Sequence, residues 1–270
     1  MKLRGFGGRK SFQKKSKTHR QIQKQIIIGD WDPDILKEIA ILGGEKICSA
    51  WDFQAKEIRK KTCESYGKDL MSARMMLISA LSYLMSERVG IPGKTNHKLG
   101  QMLQQVAIFY QGETYTEKAI SEGQYIKASA LIKQELEMLA RIVEIKEGQE
   151  KEGKTPKISY LSKHLREQYG DMNDIAHIAK IGYLDLFSSI DKGSFRGVAF
   201  QPIFHAGVAR CLYETHVYIF RNITLEQISI SEQLYPDDSE LIIPPYRTME
   251  LVTNLFKKEG FFSSEPIKDY

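Results

Sequence analysis

Arg210 and His216 lie six residues apart in the segment Arg210-Cys-Leu-Tyr-Glu-Thr-His216. A guanidinium is permanently charged and carries a fork of donors suited to an anionic oxygen, whereas an imidazole exchanges its proton near neutral pH. Together they have the makings of a general base and an anion stabiliser. Six steps of ~100° leave the two side chains about 120° apart on a straight helix and ~9 Å along its axis, so one helix alone does not assemble a site. Two copies across a dimer, or a distorted helix start, would. Tyr213 and Glu214 lie between them, placed to position a substrate or tune the histidine. The competing reading of His216 is a satisfied histidine packed between helices.

A second constellation spans two segments. Lys133, Glu137 and Arg141 are spaced four apart and form a charged stripe on one helix face, and His177 follows in Tyr169-Gly-Asp-Met-Asn-Asp-Ile-Ala-His177. Facing a cleft, the stripe and His177 would form a polar cluster with an acid and a base within reach. On an open surface it is an ordinary ladder of ion pairs. Other chemistry has no residues to carry it: GxxxxGK[ST], HExxH, paired CxxC and GxSxG are all missing. No two of the six histidines stand four apart, so neither a metal site nor a cofactor is expected. Cys48, Cys63 and Cys211 are an odd set without close spacing, read as buried free thiols.

The elements that must position these residues read as helices. Asp32 before Pro33 is a helix start, and Ile35, Ile39 and Leu42 recur at helical spacing up to Gly43-Gly44. Apolar residues then keep mostly three- and four-residue steps to about Arg88, broken near Gly67. Further helices are expected over 96–110 and 115–146 with a break at Gly112, over 158–168, over 171–190 after a stop at Tyr169-Gly170, over 204–234 and over 247–257, the last approached in extended form through Pro244-Pro245. Arg196 to Phe200 is the extended run in that region. The fold class is therefore all-α: an antiparallel multi-helix bundle. Residues 1–29 form a basic arm, 30–235 the bundle with a polar loop at 148–157, and 236–270 a C-terminal extension with a final helix.

Charge is distributed unevenly along the chain. Residues 1–24 hold nine basic side chains and no acid; against a formal net charge of +5 for 270 residues, the remainder stands at −4. An arm this polar and self-repelling is predicted to be disordered when free. Arg4, Arg9, Lys10, Lys14, Lys15, Lys17 and Arg20, with Phe6 and Phe12 interleaved, suit phosphate contacts and base stacking. A solvated tail, an acidic partner and a membrane surface are the alternatives. No stretch reaches the ~20 apolar residues of a membrane span and no secretory apolar core is present, so a cytoplasmic protein is expected.

The Arg210/His216 spacing resembles that of the HEPN family, helical proteins that often dimerise and whose catalytic members cut RNA without metal. The helix from Gly123 to Val143, followed by an Asp/Asn-rich turn and the Ala176-His177 pair, also looks like a larger group of bacterial helical proteins; that resemblance covers roughly residues 45–235. The HEPN likeness implies His216 as general base on a ribose 2′-hydroxyl, Arg210 stabilising the attacked phosphate, and a role in bacterial defence or toxin systems. The alternatives are a non-catalytic module binding nucleic acid or protein, and a small-ligand sensor with its pocket at Lys133, Glu137 and His177.

Overall fold

A computed structural model describes residues 32–260 apart from 180, 192, 194 and 195. The arm, including its seven candidate phosphate-contacting residues, lies outside the described residues. Eight α-helices and one two-stranded sheet are present among those described. They are α1 (Pro33–Tyr66), α2 (Lys68–Ser86), α3 (His97–Ser121), α4 (Tyr125–Glu147), α5 (Lys163–Ala176), α6 (Ile181–Ser188), α7 (Ala206–Leu234) and α8 (Ile243–Lys258). Strands β1 (Ser189–Asp191) and β2 (Arg196–Val198) pair antiparallel, with Ile190 opposite Gly197. The chain divides into two compact units, residues 1–51 and 52–270.

Glycine decides the helix ends only where the backbone turns left-handed. Helix α1 starts as read, with Asp34 N–H donating to Asp32 Oδ1 at 2.9 Å, but it runs straight through Gly43-Gly44. Each glycine costs a helix roughly 1 kcal/mol relative to alanine, which cooperative propagation from both sides absorbs. Gly67 is the true break, at φ +82°. Likewise α3 runs through Gly112 and stops before Gly123, at φ +74°, and α5 runs through Tyr169-Gly170 to end at His177. Pro244 and Pro245 fall inside the first turn of α8 rather than in an extended approach, because the first-turn N–H groups need no helical partner.

In the second unit α7 is the central element. Leu212, Tyr213, His216, Ile219, Phe220, Ile223 and Ile230 are at most 2% exposed and fall within one arc of about 120°, which buried Thr215, Val217, Thr224 and Ile228 widen on its two sides. A buried face that wide needs more than one neighbouring helix to cover it. Helices α2, α3 and α4 surround it, α5 lies on α4, and α8 packs along α2. The start of α7 is tied across the bundle by Arg210, whose guanidinium donates to Glu214, to the Tyr66 carbonyl and, at 2.6 Å, to Glu259 Oε2.

Cys48 and Cys211 are exposed and Cys63 half-buried, a correction to the expectation of buried thiols. For the first two, helical phase turns the side chain outward regardless of its preference for the interior.

Gly67 is the junction on which this tie depends. A Cβ built there would stand 2.8 Å from Arg210 Nη1 and 3.3 Å from Glu259 Oε1, on a backbone that L residues rarely adopt. Gly67→Ala is therefore expected to lower stability by about 2 kcal/mol, read as a lower urea midpoint at unchanged slope.

Candidate functional site

His216 sits at the centre of the bundle with no exposed surface. Its Nδ1 is 2.8 Å from Glu135 Oε2 on α4, and its Nε2 faces Glu113 Oε1 on α3 at 3.5 Å, too poorly placed for a hydrogen bond. Glu113 is also gripped in a fork by Arg74 of α2, with Nε donating to Oε1 at 2.6 Å and Nη2 to Oε2 at 2.9 Å. The second oxygen of Glu135 accepts from Thr116 Oγ1 at 2.6 Å. Four helices thus contribute one ionisable side chain each, and Phe109 and Phe220 close the surroundings, their rings edge to face at 5.1 Å.

The electrostatics fix the protonation state. Burial alone pulls an imidazole down, because the cation loses its hydration. Here the charge and hydrogen bond of Glu135, with the nearby charge of Glu113, outweigh that loss, and His216 is pushed up to about 9 from 6.5. Glu113 moves the other way: burial would raise it, but His216 and Arg74 hold it below the ordinary carboxylate range. The set then consists of two carboxylates, a guanidinium and an imidazolium, with no net charge. An imidazolium has no vacant lone pair and this one has no exposed surface, so in this arrangement the ring stands as a counterion between helices.

Arg210 is not part of this group. It points from α7 toward Tyr66 and Glu259, so the structure does not bring the two residues of the sequence motif together, either with each other or at an open surface. Tyr213 between them stacks on Tyr66 with ring centroids 3.7 Å apart. Burial raises the Tyr213 phenol above its usual range, which keeps it neutral.

The other constellation is assembled in part. Lys133 Nζ donates to His177 Nε2 at 3.4 Å and lies 3.9 Å from Glu137 Oε1, while Tyr169 OH donates to the same Glu137 oxygen at 2.8 Å. Burial and the bond to Glu137 push the Tyr169 phenol up to about 12. His177 is exposed and is followed by Ile178 at φ +53°, a left-handed position where a β-branched residue is strained. Arg141 turns elsewhere: it donates to Glu144 at 2.9 Å and to the Lys154 carbonyl, and Glu144 in turn accepts from the Lys157 N–H at 2.7 Å. That pair fastens the 148–157 loop to α4 rather than lining a cleft. Among the described residues no group of His, Cys, Asp or Glu side chains is arranged to hold a metal ion, and no helix is long and apolar enough to cross a membrane.

Sequence reasoning singled out His216 but missed its partners Arg74, Glu113, Thr116 and Glu135. Their signal was present: Glu113 falls on the stripe Met102, Val106, Phe109, Thr116, Ile120, and Glu135 beside Ile132, Leu136 and Leu139. A charge on a core-facing stripe implies a buried countercharge. No protein-family description, characterised protein or solved structure matches this chain.

The raised His216 and lowered Glu113 fix how stability follows pH. A group whose folded pKa is raised stabilises fully below its unfolded value and loses that contribution as pH climbs through the folded value. For His216 the fall runs from about 6.5 to about 9 and amounts to about 3 kcal/mol. Glu113 adds the opposite limb, lost as pH falls below the carboxylate range. Urea unfolding from pH 5 to 9 is expected to show stability declining above pH 6.5, and His216→Gln to flatten that decline while lowering stability throughout, by about 3 kcal/mol at pH 6. A decline that persists unchanged in His216→Gln would place its origin elsewhere.

Proposed function

We propose that this chain is a HEPN-like helical module that binds RNA through its basic arm and does not cut it with Arg210 and His216. What carries the reading is a separation of roles along the chain. Nine cationic side chains with no acid occupy residues 1–24, whereas the motif histidine is enclosed and already charged by its carboxylates. Phosphate attraction is independent of base sequence, so an arm of this composition suits single-stranded or structured RNA alike. Phe6 and Phe12 add stacking surfaces for exposed bases. The body, at −4, supplies no competing basic surplus by its net charge.

Fluorescence anisotropy with labelled single-stranded RNA, using the full chain and a version starting at residue 25, tests this. Binding is expected to weaken steeply with salt, with a log–log slope of up to about −6 if all nine cations contact phosphate, and to vanish in the shortened chain. Equal binding by both versions would refute the arm's role. Metal-free RNA cleavage by the full chain that disappears in both Arg210→Ala and His216→Gln would establish the ribonuclease reading instead.

A further inference from the structure

The first unit carries an apolar surface that the bundle's chemistry does not explain. Along α1, Leu36, Ala40, Gly43, Ile47 and Trp51 recur at steps of four, three, four and four, which places them on one face. Ile35, Ile39 and Leu42 form a second stripe beside it. The large apolar side chains among these are 46–55% exposed. Charge is kept off the first stripe, with Glu38, Glu45 and Asp52 recurring every seven residues on the opposite side, while Lys46 continues the second. An isolated solvent helix of this kind is marginal in water, and a contiguous apolar face on it marks a docking surface.

We propose that this surface pairs with the same surface of a second copy of the chain, the two α1 helices crossing antiparallel at Gly43-Gly44. Three observations favour a second copy. In that register Leu36 meets Trp51 and Ala40 meets Ile47, so the face is complementary to itself, as a two-fold interface requires. Among the described residues a Cβ at either glycine would touch nothing within 4 Å, so the glycines answer no packing need there although each weakens the helix; glycine against glycine lets two helix backbones approach closely. The exposed side chains offer roughly 600 Å² per copy before flanking positions are added, near the ~800 Å² per partner of a standard interface. A membrane surface is disfavoured because interfacial helices carry lysine and arginine on the polar side, whereas over residues 33–52 the side directly opposite the first stripe carries Asp34, Glu38, Glu45 and Asp52.

The proposal is independent of RNA binding and is tested on the full chain without RNA. Sedimentation equilibrium over about 1–100 µM is expected to give twice the 31.0 kDa chain mass at the upper end. Ile47→Asp should be monomeric over the same range with an unchanged thermal midpoint of the bundle. Gly43→Ala with Gly44→Ala should raise helix content yet weaken association at least tenfold, the reverse of what a helix-stabilising substitution would do if it acted only within one chain. With Trp31→Phe leaving Trp51 as the sole indole, its emission should shift to the blue as the dimer forms. A monomer throughout, a dimer retained by Ile47→Asp, or association unaffected by the paired alanines would each overturn the assignment.

Discussion

Where α2, α3, α4 and α7 converge, two carboxylates and two cations share an interior that excludes water. Taking any one of these charges out of water alone is costly, and only the mutual arrangement offsets it. Arg74 can stay charged because Glu113 accepts from its Nε and Nη2, and the oxygens of Glu113 and Glu135 are met by Arg74, His216 and Thr116. Each helix is thereby fixed in rotation as well as position, since a turn of one residue in any of them would leave a buried charge unmatched. Apolar packing around α7 supplies most of the cohesion, and the charge network selects one arrangement of the helices from the many that apolar packing would accept.

Function follows from the same constraint. A histidine that serves as a counterion inside the bundle is held in its charged form by the groups that hold the fold together, so the residue best suited by type to proton transfer is committed to structure. On the proposed reading, binding falls to the basic arm, by its charge, and to the apolar face of α1, by its exposure. The polar group of Lys133, Glu137, Tyr169 and His177 lies at the surface and meets the geometric condition for a small polar contact site, yet its charges are already paired within the group.

The all-helical class, most of the helix starts and the 148–157 loop were legible in the sequence because they rest on local rules: apolar periodicity, a capping Asp32 or Asn96, and polar runs around proline. Helix ends were misplaced at Gly43-Gly44, Gly112 and Gly170, where glycine marks a permitted break that propagation overrides; only the glycines with positive φ stop a helix, and φ is not written in residue type. The cluster at His216 was legible to the extent that a charged residue on an apolar stripe predicts a buried partner. Which partner it finds, across 81 residues from Glu135 and through Glu113 to Arg74, depends on packing between helices that spacing along one helix cannot reveal. The opposite fates of Arg210 and His216 come down to helical phase, ~120° over six residues.

The most direct test of the account is the protonation state of His216 inside the folded protein, read from nitrogen-15 chemical shifts of the histidine rings between pH 6 and 9, with His216→Gln used to assign the signal. The account predicts an imidazolium with both ring nitrogens protonated at pH 7.5, titrating near pH 9 and exchanging slowly with solvent. A neutral ring at pH 7.5 that titrates near 6.5 and exchanges rapidly would contradict it, and would return His216 to the residues free to act as a base.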